Sequence, residues 1–320
     1  MQYSLLSRFR GALLGGWIGE ILASKSCQGF PVASVKFAQP TSGETWNLEK
    51  GLTISEAKLS AWSQIATCGT ESLIRCGKLD IENWLGQADQ LHPSLLLLKG
   101  GASSSQAAVA TLPVALFFHE DRIQLRQKLQ QAAKVWQSDP EELSGVWVVA
   151  LAIALALTEQ LDCANFIPQI IAELGTKETP LIHQLQQVQL LLDQGADLET
   201  TVAQLKREQG HPADTSIALA FYFFLNTPED FRLSTLRAAR SSYQSETTVT
   251  LTGALAGVYN SITGIPVSWR LITNQIAAAE KRLHLADCLF TIWSGVWAPQ
   301  AIDRCQWTAV AAPGVIQPRL

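Results

Sequence analysis

The sequence predicts an all-α protein, and three observations support this fold class. Apolar residues recur at the spacing of a helix face from one end of the chain to the other, whereas runs that alternate between apolar and polar residues are nearly absent. Two helix starts are explicit, each with a capping side chain directly before a proline. Two segments are apolar on every side, which indicates central helices enclosed by other helices.

The two helix starts use the same arrangement of residue types. In Asp139-Pro140-Glu141-Glu142 a capping carboxylate precedes a proline at the first helical position, and an acid follows in the first turn. Thr227-Pro228-Glu229-Asp230 repeats this arrangement with a threonine as the cap. The sequence therefore predicts helices that begin at each of these prolines.

Between these starts the pattern predicts a helical hairpin and two core helices. One apolar stripe runs through Leu181, Leu185, Val188 and Leu192 and stops at Gly195, and a second runs through Leu198, Val202 and Leu205 and stops at Gly210. Two short helices that follow each other so closely are expected to pack antiparallel. The core helices are predicted at 146–157 and 216–225, where almost every residue is apolar.

The remaining segments predict loops. Residues 27–50 contain Gly29, Pro31, Pro40 and Gly43 with little periodicity, and residues 99–105 are rich in glycine and serine. No repeat of about 34 or 40 residues is present that would indicate a helical solenoid. The best description is one compact domain over residues 1–320 with an inner layer of apolar helices.

Composition excludes several classes of partner. The net charge is −4 and no run of lysine and arginine occurs, so a nucleic-acid partner is not expected. The longest apolar run has fewer residues than the ~20 that a membrane-spanning helix needs, so no membrane association is expected.

The six cysteines form no CxxC pair, which favours buried free thiols in a reducing compartment over disulfides. No export segment is recognised, and a cytoplasmic location is predicted.

A site for a ligand or a metal ion is expected at a polar loop in the last quarter of the sequence. Residues 244–247 read QSET and lead into a helix whose early turns carry small residues, GALAG at 253–257. Such a backbone can approach a ligand or an ion closely. Magnesium prefers carboxylate oxygens, however, and this loop contains only one carboxylate, Glu246.

Four segments in chain order carry a family resemblance. The first is RFRGALLGGWIGE from Arg8 to Glu20, and the clearest runs from the QSET loop through GALAG to Ile265-Pro266 and Trp269. Two weaker segments are LTISE at 52–56 and the glycine-rich stretch from Gly100 to Pro113. Together they resemble the ADP-ribosylglycohydrolase family, which are all-α enzymes that remove ADP-ribose from proteins with a dinuclear magnesium site.

The resemblance also implies that functional residues have been replaced. Where the family has acids that hold magnesium, this chain has Ile54, Ser55, Gln244 and Glu246, and Glu20 stands where an aspartate is usual. In the glycine-rich loop Ser105 and Ala110 stand for an asparagine and an arginine, and Trp136-Gln137 stands for a Thr-His pair. Because neutral oxygens and a hydrocarbon replace carboxylates, no stable dinuclear site is expected. No cofactor is therefore expected, and Mg²⁺ would bind only if the altered site still functions.

The resemblance implies a set of candidate site residues. The candidates for a catalytic role are Glu20, Glu56 and Glu246. The residues expected to line the ligand-binding cleft are Glu20, Thr53, Ser55, Gly100, Gly101, Ser104, Ser105, Gln137, Gln244, Ser245, Glu246 and Thr247. If a metal is held at all, its ligands are expected among Thr53, Ser55, Glu246 and Thr247.

Three hypotheses about function follow. The leading one is a pseudoenzyme, catalytically inactive or altered, that binds an ADP-ribose-like ligand or a protein partner through the ancestral cleft. The second is an active hydrolase of an ADP-ribosyl N- or O-glycosidic bond, in which glutamates replace the aspartates. The third is a structural interaction protein whose cleft is filled by side chains such as Trp46.

Overall fold

The computed structural model describes residues 3–27, 59–137, 143–174, 179–207, 211–241, 243–273 and 277–295. Within these ranges it contains α-helices and one short 3₁₀ helix, Pro93–Leu98, and no β-strand; a single isolated antiparallel bridge joins Gly101 to Gln137. The predicted all-α fold class is therefore confirmed. The predicted loop at 27–50 lies almost entirely outside the described residues, and the extent of the domain stays a prediction.

The α-helices are numbered in chain order. They are α1 Leu5–Cys27, α2 Ala61–Cys76, α3 Ile81–Leu91, α4 Ser104–Ala110, α5 Leu112–Phe117, α6 Arg122–Trp136, α7 Leu143–Leu157, α8 Phe166–Leu174, α9 Pro180–Asp193, α10 Leu198–Arg207, α11 Pro212–Asn226, α12 Phe231–Ser241, α13 Ser245–Gly264, α14 Val267–Thr273 and α15 Ala277–Trp293.

The predicted inner layer is present as helices α7 and α11. All residues of α7 from Gly145 to Leu157 are buried, and so are all residues of α11 from Ala213 to Leu225. Helices that are apolar on every side can only be stable when other helices surround them, which is how the sequence predicted this layer. The start predicted at Asp139-Pro140 lies outside the described residues.

The predicted hairpin corresponds to helices α9 and α10. Gly195 ends the first apolar stripe with a left-handed φ of 62°, a conformation that glycine adopts without steric cost. The two helices are connected by a hydrogen bond from Gln187 Nε2 to Gln204 Oε1 at 3.3 Å. The turn between them is held on the core by Tyr222, whose hydroxyl donates to the carbonyl of Ala196 at 2.6 Å.

The helix start predicted at Pro228 is wrong by three residues. Helix α12 begins at Phe231, and the carboxylate of Asp230, rather than the hydroxyl of Thr227, accepts a hydrogen bond from the backbone N–H of Leu233 at 2.8 Å. Thr227 instead bonds Ser234 through their hydroxyls at 2.9 Å. The sequence offered two possible caps within four residues, and a carboxylate also interacts more favourably with the helix dipole than a hydroxyl does.

Helices α1 and α13 pack backbone to backbone along a row of glycines. A Cβ added to Gly11 would overlap the carbonyl oxygen of Gly257, and one added to Gly15 would overlap that of Gly253. At Gly19 the opposing carbonyl belongs to Val249. Because the partner residue number falls as the α1 number rises, the two helices run antiparallel. These contacts fix the middle of α1, from Gly11 to Gly19, and with it the position of the adjacent Glu20.

Not all of the cysteines are free thiols, which corrects the sequence-based expectation. Cys68, Cys76 and Cys163 are free, whereas Cys288 in α15 is disulfide-bonded, and its partner is not among the cysteines whose side chains are described. A disulfide needs close approach of two cysteines in space, which spacing along the sequence does not reveal.

In the described part of the chain, every helix is too short or too polar to cross a lipid bilayer.

Candidate functional site

Glu20 lies near the C-terminal end of α1 and connects this helix to the start of α2. Its side chain is buried, and its Oε1 accepts a hydrogen bond from the backbone N–H of Ser60. Ser60 in turn caps α2, because its hydroxyl oxygen accepts from the backbone N–H of Ser63 at 3.1 Å. The acid that the resemblance places in the catalytic region is thus bound to the protein's own backbone.

Arg282 of α15 is the charged neighbour of Glu20. Burial raises the pKa of the Glu20 carboxyl, and the hydrogen bond from Ser60 and the positive charge of Arg282 oppose that shift. Burial likewise lowers the pKa of Arg282, and the charge of Glu20 opposes it. Oε2 of Glu20 and Nε of Arg282 are buried atoms without a hydrogen-bond partner among the described residues. Both charges are therefore incompletely compensated.

Arg282 also lines a small cavity among helices α1, α2, α4, α5, α13 and α15. Its volume is about 30 Å³, and its polar lining consists of Ser63, Thr67, Thr70, Thr250 and Arg282. A space of this size holds roughly one or two water molecules.

The loop 244–247 forms the first turn of α13. Gln244 adopts a left-handed conformation, with φ 36°, directly before the helix, and its Oε1 accepts a hydrogen bond from the hydroxyl of Ser216 at 2.5 Å. Thr247 is buried and its hydroxyl donates to the carbonyl of Gln244 at 3.4 Å. Glu246 is exposed, and Ser245 is described only as part of the helix backbone. The amide oxygen at the position where the resemblance implies a metal ligand is therefore already bonded to a protein hydroxyl.

In the glycine-rich loop, the backbone N–H groups of residues 100–102 already donate hydrogen bonds to carbonyl oxygens of the protein. The N–H of Gly100 donates to the carbonyl of Val135 at 3.1 Å, and that of Ala102 donates to Trp136 at 2.9 Å. Gly101 forms the bridge with Gln137, which is buried, and its N–H donates to Leu98. Phosphate binding by the N–H groups of residues 100–102 would require these hydrogen bonds to break.

The serine side chains of this loop cap α4 or are buried in its first turn, and they do not line an open cleft. Ser103 caps the helix in a capping box: its hydroxyl accepts from the N–H of Gln106, whose side chain accepts from the N–H of Ser103 at 2.9 Å. Ser104 and Ser105 are fully buried. A Cβ on Gly145 of α7 would overlap the hydroxyl of Ser104, so this serine fills the space left by a glycine in the core.

We expect the Ser103→Ala variant to lose about 1 kcal/mol of unfolding free energy, because an N-cap hydroxyl is removed. Chemical denaturation monitored by circular dichroism measures this loss. Ser94→Ala is the control, since Ser94 is exposed in the 3₁₀ helix, and its change should stay within about 0.5 kcal/mol. Equal effects of the two substitutions would contradict a capping role for Ser103.

The structure brings some of the predicted residues together. Gly19 packs on Val249, so Glu20 and the loop 244–247 lie at the same end of the α1 and α13 pair. Thr53, Ser55 and Glu56 lie outside the described residues, and their predicted roles stay predictions. Sequence reasoning missed Arg282, since α15 carries no motif and the adjacent Lys281 is an ordinary exposed lysine paired with Glu71.

A family model described as ADP-ribosylglycohydrolase matches residues 1–297. The chain belongs to the ADP-ribosylglycohydrolase family. A solved structure titled "ADP-ribosylglycohydrolase-related protein complex" is similar to this family member, with a TM-score of 0.63 and 16% sequence identity, over 90% of this chain and 99% of that one. At this identity the likeness shows the shared fold. The search of curated proteins found no match.

The described residues do not fit the magnesium site of an ADP-ribosylglycohydrolase. Glu20 binds a backbone N–H and faces a guanidinium, and Gln244 is bonded to Ser216. Within the described ranges no three histidine, cysteine or acidic side chains group in a way that could hold a metal ion. Magnesium needs near-ideal octahedral geometry and anionic oxygens, and a fixed cation beside the buried acid Glu20 repels it.

Proposed function

We propose that this ADP-ribosylglycohydrolase family member does not hydrolyse ADP-ribosyl bonds with magnesium and instead binds an ADP-ribose-like ligand near Arg282. The observation that carries the proposal is the guanidinium of Arg282 beside the buried carboxylate of Glu20. Catalysis by two metal ions depends on positioned positive charge that is balanced by several carboxylates. Here a protein side chain supplies the positive charge, and a metal ion would add repulsion.

The chemistry of Arg282 favours an anionic ligand. Its side chain is partly exposed and contributes to the wall of the small cavity. A guanidinium binds phosphate oxygens through charge-assisted hydrogen bonds, and the diphosphate of ADP-ribose offers such oxygens. Binding without metal is therefore the activity that this arrangement of charges supports best.

Calorimetric titration with ADP-ribose in the presence of a chelator tests the proposal. The unmodified protein is expected to bind, and Arg282→Met is expected to weaken binding by about tenfold or more, because a charged hydrogen bond is lost. Lys281→Met is the matched control, since Lys281 is the neighbouring cation on the same helix and should leave binding unchanged. Arg282→Lys keeps the charge without the planar donor group and should fall between the two.

A hydrolysis assay on an ADP-ribosylated peptide separates this proposal from an active enzyme. Release of ADP-ribose that requires Mg²⁺ and is lost with a chelator would contradict the proposal. It would favour the second hypothesis, in which Glu20, Glu56 and Glu246 act in place of aspartates. Absence of turnover together with metal-free binding is the expected result.

The third hypothesis, a structural interaction protein with a filled cleft, is also supported by one observation. The cavity beside Arg282 measures about 30 Å³, whereas sites for organic ligands usually measure about 300 Å³ or more. If ADP-ribose neither binds nor raises the melting temperature, the cleft of this protein serves a protein partner or the fold alone.

A cytoplasmic location is part of the proposal. The free thiols of Cys68, Cys76 and Cys163 support a reducing compartment, and the disulfide of Cys288 is the observation against it. Fluorescence microscopy of the tagged protein in its native cell tests the location, and a signal outside the cytoplasm would contradict it.

A further inference from the structure

A second and much larger cavity lies at the opposite end of the α1 and α13 pair from Glu20. Its volume is about 450 Å³, within the range of small-molecule binding sites. Its polar and aromatic lining consists of Tyr3, Arg8, Glu159, Glu229, Tyr259 and Asn260. Arg8 precedes Glu20 by twelve residues on one helix, a distance of roughly 18 Å at 1.5 Å per residue. The two sites are therefore separate.

Arg8 is buried in the wall of this cavity and is held rigidly. Its Nη1 donates to the carbonyl oxygens of Ala156 at 2.9 Å and Tyr259 at 3.3 Å, and its Nη2 donates to Glu159 Oε1 at 3.0 Å. Only 7% of the residue is exposed, and its buried Nε has no hydrogen-bond partner in the described part of the chain. The three hydrogen bonds therefore fix the Arg8 side chain as part of the cavity wall.

The charges in the lining favour a cation. Glu159 balances the charge of Arg8 through their ion pair. Glu229 is exposed and forms no ion pair with any residue in the described ranges, so the lining carries a formal charge of −1. An anionic ligand would meet repulsion from Glu229, whereas an ammonium group would gain a charge-assisted hydrogen bond.

Two further groups offer fixed hydrogen bonds. Asn260 donates through Nδ2 to the carbonyls of Pro228 at 2.7 Å and Ala256 at 3.0 Å, which leaves its Oδ1 as an oriented acceptor. Burial, followed by the neighbouring Cys163, raises the pKa of Tyr259 to about 12, so its hydroxyl stays neutral. Several polar groups fixed around one space suit a ligand with hydroxyl groups.

We infer that this cavity binds a small hydroxylated organic cation, with its ammonium group at Glu229 and a hydroxyl group at Asn260 Oδ1. The inference uses none of the residues near Arg282 and does not depend on binding of ADP-ribose. It assigns a ligand class to a cavity at the opposite end of the α1 and α13 pair from the loop 244–247.

Ligand-detected NMR with D-glucosamine tests this inference. Glucose and N-acetylglucosamine are the matched probes, because they keep the hydroxylated ring and lack the ammonium group. At about pH 6, where the amine is protonated, glucosamine is expected to bind at least about tenfold more tightly than glucose. ADP-ribose is not expected to displace it.

Substitutions test whether Glu229 in the cavity lining causes the preference for glucosamine. Glu229→Gln is expected to remove the preference for glucosamine, and Glu199→Gln, which changes an exposed glutamate in the first turn of α10, is expected to keep it. Equal binding of glucosamine and glucose would overturn the inference, and so would a preference that survives in Glu229→Gln. No binding of glucosamine up to about 10 mM would overturn it as well.

Discussion

The Gly15→Ala variant is expected to lose about 3 kcal/mol or more of unfolding free energy. A methyl group at this position would overlap the carbonyl oxygen of Gly253, and the ring of Phe231 lies 3.0 Å from it. Backbone cannot move aside as a flexible side chain can, so α1 and α13 would have to separate along their length. Denaturant unfolding followed by circular dichroism, or the yield of folded protein, measures the loss.

Gly86→Ala is the control for this experiment. Gly86 lies inside α3, and a Cβ added there meets no atom within 4 Å. Alanine is the better helix former, so this substitution is expected to stabilise the protein by about 0.5 to 1 kcal/mol. If both variants change stability by the same amount and sign, the close contact between α1 and α13 is not important for stability.

The second large effect is expected at Arg282. Arg282→Met leaves the buried carboxylate of Glu20 without its countercharge, and we expect a loss of about 1 to 3 kcal/mol at neutral pH. In the Glu20→Gln background no charge remains to be compensated. The same Arg282→Met substitution should then cost clearly less, which a double-mutant cycle measures.

The effect should also depend on pH in a defined direction. Burial raises the pKa of Glu20 above 4.5, so the folded state binds this proton more tightly than the unfolded state does. The contribution of Glu20 to stability is therefore greatest below about pH 4.5 and declines as the pH rises through its folded pKa. The destabilisation by Arg282→Met should follow the opposite course and grow as the pH rises through the folded pKa of Glu20, because it requires an ionised Glu20.

A loss that is identical with and without the Glu20→Gln substitution, and constant from acid to neutral pH, would show that Arg282 acts through packing alone. Lys281→Met serves again as the control. Its ion pair with Glu71 is exposed, and exposed ion pairs contribute at most about 1 kcal/mol.

Much of the fold could be predicted because it depends on local patterns. Continuous apolar segments identified α7 and α11 as the inner layer, and the stripes ending at Gly195 identified the α9 and α10 hairpin. The start of α12 was misplaced, because Thr227 and Asp230 are both capable caps and only the folded chain decides between them. The residues of the glycine row were noticed as part of a motif, but their contact partners depend on tertiary packing.

The site was less predictable for a physical reason. The resemblance identified Glu20 and Gln244, yet their present partners, Arg282 and Ser216, come from helices with no motif and are distant in sequence. A motif indicates which positions lie near the site, whereas the partner of each side chain depends on which helices the fold places beside it. The cavity at Arg8 and Glu229 was not predicted, because its members come from separate parts of the chain.

The glycine row between α1 and α13 has a consequence for how the protein folds. One partner is near the start of the chain and the other lies beyond residue 240, so their contact closes a loop of most of the polypeptide. Such long-range contacts slow folding, and α1 leaves the ribosome long before α13 exists. Its apolar surface, which includes Phe9, Leu14 and Trp17, has no native partner on α13 during that interval. We therefore expect this apolar surface to need shielding during synthesis until the last quarter of the sequence has been made.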